Sequence, residues 1–221
     1  MEQILTFEEI KNNIEVQTYL KYADYAFSSM GHKEHGSSHA LYSATVACQV
    51  LKELGYDQRK QELAKIAAYV HDIGSFIGKE GHAQSSAVMF LNIINEDRHD
   101  DDVFAIVSAI GCHEDKDFAP VSEIAAALVI GDKTDTRYER ARTKDPFYLD
   151  KHGKVLLACK KVDIVVKKEK MKIELHLKID TMICSVMDYF EIFMARTNYC
   201  KKASNVLKCN FELYINEDKF L

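Results

Sequence analysis

The sequence predicts a mainly α protein: a helical bundle over residues 1–145, then a small α+β region over residues 146–221 built from antiparallel strands and one long helix. Two observations lead to this division. In the first part apolar residues recur every three or four positions, and the chain holds only two prolines, Pro120 and Pro146, which leaves room for long helices. After Asp150 the apolar period drops to two. In "KIELHLKID", Ile173, Leu175, Leu177 and Ile179 alternate with Lys172, Glu174, His176 and Lys178.

Each element has its own signal. Thr6 and Glu9 in "TFEE" offer a capping box for the first helix. The run from His39 to Leu54 carries Ala40, Ala44, Ala47, Cys48, Leu51 and Leu54 on one stripe and stops at Gly55. Asp57 can cap the next helix, whose apolar face is Leu63, Ile66, Ala67 and Val70. Helical spacing returns in "HAQSSAVMFLNII" and in "VFAIVSAIGCH", the latter behind the acidic cap Asp100, Asp101 and Asp102. "SEIAAALVIGD" makes an alanine-rich helix behind Pro120 and Ser122. In the tail, "VDIVV" and "KIELHLKID" form an antiparallel hairpin about the polar turn Lys167 to Lys170. A long amphipathic helix follows, with Ile183, Val186, Met187, Phe190, Phe193 and Met194 on its apolar side. "NFELYIN" is a last strand, through Phe211, Leu213 and Ile215. Ile173, Leu175, Leu177 and Ile179 are expected to face the long helix, and no catalytic residue is expected from this region.

Composition narrows the function classes. A chain of 221 residues, 47% hydrophobic and 29% charged, is of ordinary globular type. A net charge of −5 disfavours a polyanion partner, so no nucleic acid is expected. No apolar segment is long enough to span a bilayer, acids interrupt any signal-like run in "MEQILTFEEIKNN", and no membrane association is expected. The six cysteines are scattered without a CxxC pair, which reads as reduced thiols in a cytoplasmic protein. The edges of a short sheet mark a homodimer interface as the expected assembly.

Histidine placement turns the fold into chemistry. Of nine histidines, His39, His71, His82 and His113 each fall at or near an end of a separate predicted helix. Asp72 follows His71 directly, and Asp132 ends the alanine-rich helix. A single histidine on an apolar helix reads as a hydrogen-bonded core residue. Six polar groups at successive helix ends are harder to accommodate, because each costs free energy when buried unless it is satisfied. Four imidazoles and two carboxylates are too many for one tetrahedral zinc site but suit one or two octahedral divalent metals. Periodicity alone does not bring them together in space.

The order H…HD…H…H…D, as His39, His71-Asp72, His82, His113 and Asp132, resembles the HD superfamily of metal-dependent phosphohydrolases. "HGSSHA", "AAYVHDIG" and "EIAAALVIGDKTDTRYERAR" are similar to a prokaryotic subgroup of single-domain members with a C-terminal α+β extension, and "VMDYFEIFMAR" fits the same subgroup. The motif-bearing part spans residues 30–143. The resemblance implies that the six residues bind one or two divalent metals (Mn, Fe, Ni, Co or Zn, or Mg), with Asp72 bridging a pair. It implies hydrolysis of a nucleotide or other small phosphoester by metal-activated water, with no serine or cysteine nucleophile. Two alternatives belong to the same superfamily: a non-catalytic metal- or nucleotide-binding regulatory or assembly module, and a di-iron oxygenase.

Asp72 and Lys133 are the expected catalytic residues. Lys133, directly after the last ligand, is either a phosphate-facing cation or a solvated lysine at a helix end. Arg137 and Arg140 are expected at the substrate phosphate, which guanidinium groups suit by bidentate geometry, unless they form surface ion pairs with Glu139 or Asp145. Asp135 is placed to orient Lys133 or a ligand histidine. His35, one helical turn before His39, is either a further ligand or a supporting or capping residue. His32, His99, His152 and His176 read as solvated loop or strand residues.

Overall fold

The computed structural model describes residues 4–114 and 120–221, with Glu96 described by its backbone alone. The helices among these residues are α1 (Phe7–Asn12), α2 (Ile14–Ser29), α3 (Ser37–Leu54), α4 (Gln58–Val70), α5 (His82–Ile93), α6 (Asp101–Gly111), α7 (Glu123–Lys133), α8 (Lys151–Ala158) and α9 (Val186–Val206). Short polar side chains start most of them by accepting a first-turn N–H that has no partner within the helix. Thr6, Asn13, Asp57, Asp100, Ser122, Asp150 and Ser185 do so for α1, α2, α4, α6, α7, α8 and α9. Helices α3 and α5 instead start at glycines, Gly36 and Gly81, with no side-chain cap. These two helices carry His39 and His82 in their first turns. Thr6 does accept from the Glu9 N–H, at 3.3 Å, but the Glu9 carboxylate pairs with Arg98 instead of closing the predicted box.

Helices α3, α4 and α7 pack on one another at the centre of the bundle, and α6 joins α5 to that centre. Every residue of α7 from Ile124 to Lys133 is buried, as expected of a helix surrounded by protein. Its approach to α3 requires Gly131: a Cβ there would lie 2.3 Å from the Ser43 carbonyl oxygen.

The tail contains β1 (Cys159–Lys167), β2 (Lys172–Ile179), β3 (Asn210–Ile215) and β4 (Asp218–Lys219), in the sheet order β1-β2-β3-β4. β1 and β2 form the predicted antiparallel hairpin, with Ile164 opposite Leu175. β3 returns parallel to β2, Leu213 beside Leu175, so the sheet is mixed and not wholly antiparallel. The cause is the 21-residue α9 between them, a crossover that carries the chain back to the end at which β2 began. Ile173, Leu175, Leu177 and Ile179 are buried as predicted.

The apolar face of α9 is rotated from the predicted one. Tyr189, Phe193, Thr197, Cys200, Ala203 and Ser204 are its buried residues, while Met187 is 67% exposed and Met194 44%. Small residues let α9 lie close against the alanine-rich α7, and a stripe chosen by apolar bulk overlooks them. Helix α8 was also not anticipated. Asp150 secures its start by accepting the Gly153 N–H at 2.7 Å. All six cysteines are free thiols. Among the described residues, no helix is long and apolar enough to cross a membrane.

Candidate metal centre

Five helix ends deliver the predicted ligands to one place. His39 lies in the first turn of α3, and His71 caps the C-terminus of α4 with Asp72 in the turn beyond it. That turn presses against α5 because Gly74 has no side chain. Its N–H donates to Ser86 Oγ at 2.8 Å, and a Cβ at Gly74 would lie 2.6 Å from the Ser86 nitrogen. His82 opens α5, His113 follows α6, and Asp132 sits in the last turn of α7. All six residues are buried.

The two oxygens of Asp72 face different imidazoles. Oδ2 lies 3.2 Å from His71 Nε2 and 3.7 Å from His39 Nε2; Oδ1 lies 3.2 Å from His82 Nε2 and 3.9 Å from His113 Nε2. Asp132 Oδ1 closes the first group, 3.3 Å from His39 Nε2 and 3.8 Å from His71 Nε2. One carboxylate therefore stands between two clusters, His39–His71–Asp132 and His82–His113.

Hydrogen bonds on the far side of each ring fix which nitrogen is free. His71, His82 and His113 donate Nδ1–H to the carbonyls of Ala68, Lys79 and Ile110 at 2.8, 2.8 and 2.7 Å, and His39 donates to Asp135 Oδ2 at 2.8 Å. Each neutral ring then presents a bare Nε2 lone pair inward. The Nε2 atoms of His39 and His71 are buried with no hydrogen-bond partner. Those of His82 and His113 face each other at 3.2 Å, a contact that a proton on one ring or a metal ion between the two would satisfy. Orphaned and opposed acceptors of this kind fit a divalent metal, and the imidazole–carboxylate donor set suits the first-row metals.

The electrostatics point the same way. Burial alone would lower His82, but its hydrogen bond to Asp72, the Asp72 charge and Glu114 raise it to about 9, so it attracts a cation. Burial and the neighbouring His71 and Lys133 push His113 down to about 3. Burial would raise Asp72 and Asp132, yet His71 beside the first and Lys133 beside the second hold both well below the usual carboxylate range. Both stay ionised at neutral pH.

A family model described as "HD domain" matches residues 36–191. The chain belongs to the HD domain family. Members of the family are in general metal-dependent hydrolases, and all six clustered residues fall within the matched span. An uncharacterized protein of Methanocaldococcus jannaschii is 25% identical, with 62% of this chain and 62% of the relative aligned. The chain thus spans less than two thirds of the length of that curated relative.

Other expected site residues take different places in this HD domain. Lys133 does not face the cavity beside the centre. Its ammonium is buried, 2.6 Å from Asp132 Oδ2 and 2.7 Å from Glu114 Oε1, which leaves Asp132 Oδ1 for the imidazoles. In this arrangement it holds Asp132 and Glu114 and does not line the cavity. Arg137 and Arg140 are likewise turned away from the cavity. Arg137 grips both oxygens of Asp135, at 2.7 and 3.1 Å, and lies over the Tyr42 ring. Arg140 is fully buried and donates to the carbonyls of Glu34 and Asp135 and to His35 Nδ1. Both guanidinium groups are consumed by internal hydrogen bonds because Asp135, which orients His39, needs its charge balanced. Asp135 orients the histidine and not Lys133.

His35 lies at the centre, its Nε2 3.4 Å from Asp72 Oδ2, and it forms with His39 and Asp72 a group close enough to hold an ion. Its tautomer is opposite to that of the four ligands. Arg140 Nη2 can only donate, so His35 Nδ1 accepts at 3.0 Å, and the proton of the neutral ring sits on Nε2. Burial and then Arg140 hold His35 well below the usual imidazole range, which keeps the ring neutral. His35 therefore offers a hydrogen-bond donor towards the centre and not a lone pair.

A cavity of about 680 Å³ opens beside the metal centre, reached by His35, Asp72, His82 and Asp132. The sequence reading missed several of its walls. His152 and Arg196 come from the tail, Lys33 precedes the first motif, and Glu114 directly follows His113. His152 is not solvated; burial, Lys33 and Arg196 push it down to about 3. His99 is held by the Leu91 and Ile94 carbonyls, and His176 stacks on Tyr214. The "HE" dipeptide beside a ligand was the available signal for Glu114; no periodicity marks Lys33 or Arg196.

Proposed function

We propose that this protein is a metal-dependent phosphohydrolase that cleaves a nucleotide or another small phosphoester, with water as the nucleophile. The placement of Asp72 carries the reading: a buried, ionised carboxylate whose two oxygens serve two clusters of bare imidazole nitrogens at the wall of a cavity sized for a small molecule. Divalent ions, when bound, would supply Lewis acidity and an activated water near neutral pH. His39, His71 and Asp132 would hold one ion, His82 and His113 the other, with Asp72 common to both. Lys133 and Glu114 keep Asp132 turned towards the first cluster, and Asp135 keeps His39 in the ligating tautomer. His35, with its proton on Nε2, is placed to donate to an oxygen of the substrate or to the leaving group.

The test is elemental analysis of protein purified without added metal, followed by a hydrolysis screen under reducing conditions. Mn²⁺, Fe²⁺, Co²⁺, Ni²⁺, Zn²⁺ and Mg²⁺ are each tried against nucleoside mono- and triphosphates, cyclic nucleotides and aryl phosphates. The expected result is phosphate release that depends on bound metal and disappears in Asp72→Ala. Silence at full metal occupancy across the whole screen would reject the enzyme in favour of a binding module.

A further inference from the structure

The cavity holds a second cluster of charge that the metal centre does not use. Lys33 Nζ and Arg196 Nη1 are both buried without a hydrogen-bond partner, and both residues line the cavity. Both cations face one ring, with Lys33 Nζ 6.0 Å and Arg196 Cζ 5.4 Å from the Phe193 centroid. The His152 ring meets the same Phe193 edge-on at 5.2 Å. The two acids whose charges act most on Lys33 are committed elsewhere: Asp135 to His39, Arg137 and Arg140, and Asp132 to the imidazoles and Lys133. A cation over an aromatic face recovers only part of the cost of its burial. Burial, followed by Arg140 and Arg196, accordingly pushes the Lys33 ammonium well below the usual lysine range. The fold thus keeps two nitrogen donors without partners on side chains that line a cavity already furnished with a metal centre.

We infer that Lys33 and Arg196, with His152 beside them, form an anion subsite for a second phosphate group carried by the same substrate. The substrate class is then a compound with two separated phosphate positions, one at the metal centre and one beside Lys33 and Arg196. Phe27, Met30 and Leu149 on the same cavity would cover its organic part. The assignment of the first phosphate as the scissile one rests on the phosphohydrolase reading; the anion subsite itself does not. Neither Lys33 nor Arg196 falls within residues 36–191, so the pair is a feature of this chain outside the family match.

The subsite is tested by calorimetric titration of inorganic phosphate into metal-depleted and metal-loaded protein, for wild type, Lys33→Met and Arg196→Met. Metal-depleted wild type should bind one phosphate, and each variant should weaken that binding at least about tenfold, as expected for a lost charge-assisted hydrogen bond. Metal-loaded wild type should bind two, and the variants should lose one while keeping the other. Lys33→Met removes a buried amine that has no partner, so its Tm should equal or exceed that of wild type, which shows that the variant is folded. No phosphate binding by the metal-depleted wild type overturns the inference. A single site in the metal-loaded protein that both variants weaken also overturns it, because the cations then serve the phosphate at the metals. Phosphate binding that follows this pattern in a protein with no turnover would sink the phosphohydrolase reading and leave the subsite standing.

Discussion

Gly131→Ala should damage the metal centre without touching a ligand. The Cβ it introduces would lie 2.3 Å from the Ser43 carbonyl oxygen and 3.1 Å from its carbon, both of them backbone atoms of α3. Ordinary contact begins at 3.4 Å, so α3 and α7 must part by about 1.1 Å at this point. No side-chain rotation relieves a clash with backbone. Overpacking costs about 1–3 kcal/mol, and the better helix propensity of alanine returns up to about 1 kcal/mol. A backbone clash at 2.3 Å lies at the upper end of that cost, so the net loss is about 2 kcal/mol, a fall in Tm of roughly 4–8 °C for a chain of this length. The functional effect should be larger. Asp132 directly follows Gly131 on α7, and His39 lies one turn before Ser43 on α3, with His39 Nε2 and Asp132 Oδ1 3.3 Å apart. Parting these helices separates two residues of the same metal cluster, and a misplacement of this size costs about a hundredfold in rate. Calorimetric Tm, elemental analysis and phosphate release check the three parts. Gly111→Ala is the control, because its Cβ would meet only Ala87 Cβ at 3.9 Å. If Gly131→Ala keeps its Tm and its full metal content, the close α3–α7 approach does not set the ligand geometry, and the reasoning fails.

The remaining expectations concern single side chains. Asp72→Ala should reduce metal content and abolish turnover together, since one carboxylate faces both histidine clusters; retained metal with lost turnover would argue against a bridging role. Arg140→Ala should destabilise the protein by about 3–5 kcal/mol in chemical denaturation, because it strips the buried Asp135 of a cation. Arg140→Lys cannot reproduce the fork to Glu34, Asp135 and His35, and ¹⁵N NMR should then show the His35 proton no longer confined to Nε2. Leu175→Asp should cost several kcal/mol, as a charge set without a partner into the β2 face; an unchanged Tm would mean that face is not core. The pH dependence of the metal-free protein follows from Asp135. Burial would raise its carboxyl, but Arg140, His39 and Arg137 hold it far below the usual range. A depressed carboxylate contributes stability above its unfolded pKa of about 4 and loses that contribution as pH falls further. The contribution of Asp135 should therefore be flat from neutral pH to about 5 and be lost below about 4. It comes on top of a fall in Tm that starts below about 6.5, because His35, His113 and His152 stay neutral in the folded protein. Asp135→Asn should flatten the acid part alone. Asp72 and Asp132 act in the same direction.

The sequence by itself determined the elements that local chemistry controls, and which six residues meet at the candidate metal centre. Helix starts were legible at Asp57, Asp100 and Ser122 because a cap is decided within four residues. The alternation of Ile173, Leu175, Leu177 and Ile179 fixed a strand face for the same reason, and six helix-end residues in HD order named the side chains that converge. Tertiary structure decided everything that depends on where a charged group finds its partner. Arg137, Arg140 and Lys133 looked like free cations beside the last ligand, yet Asp135, Glu114 and Asp132 claim them, and no spacing rule reports such competition. His35 and His39 are one turn apart and chemically alike in the sequence. Arg140 on one ring and Asp135 on the other give them opposite tautomers, so one presents a proton and the other a lone pair. The parallel return of β3 and the rotated face of α9 were settled by the long crossover and by small residues lying against α7. Lys33 and Arg196 stand far apart in the chain and carry no periodic signal. They meet only because α9 sets Phe193 between the two side chains and brings Arg196 to the cavity that Lys33 already lines, and long-range packing of that kind is written in the fold and not in any local stretch of sequence.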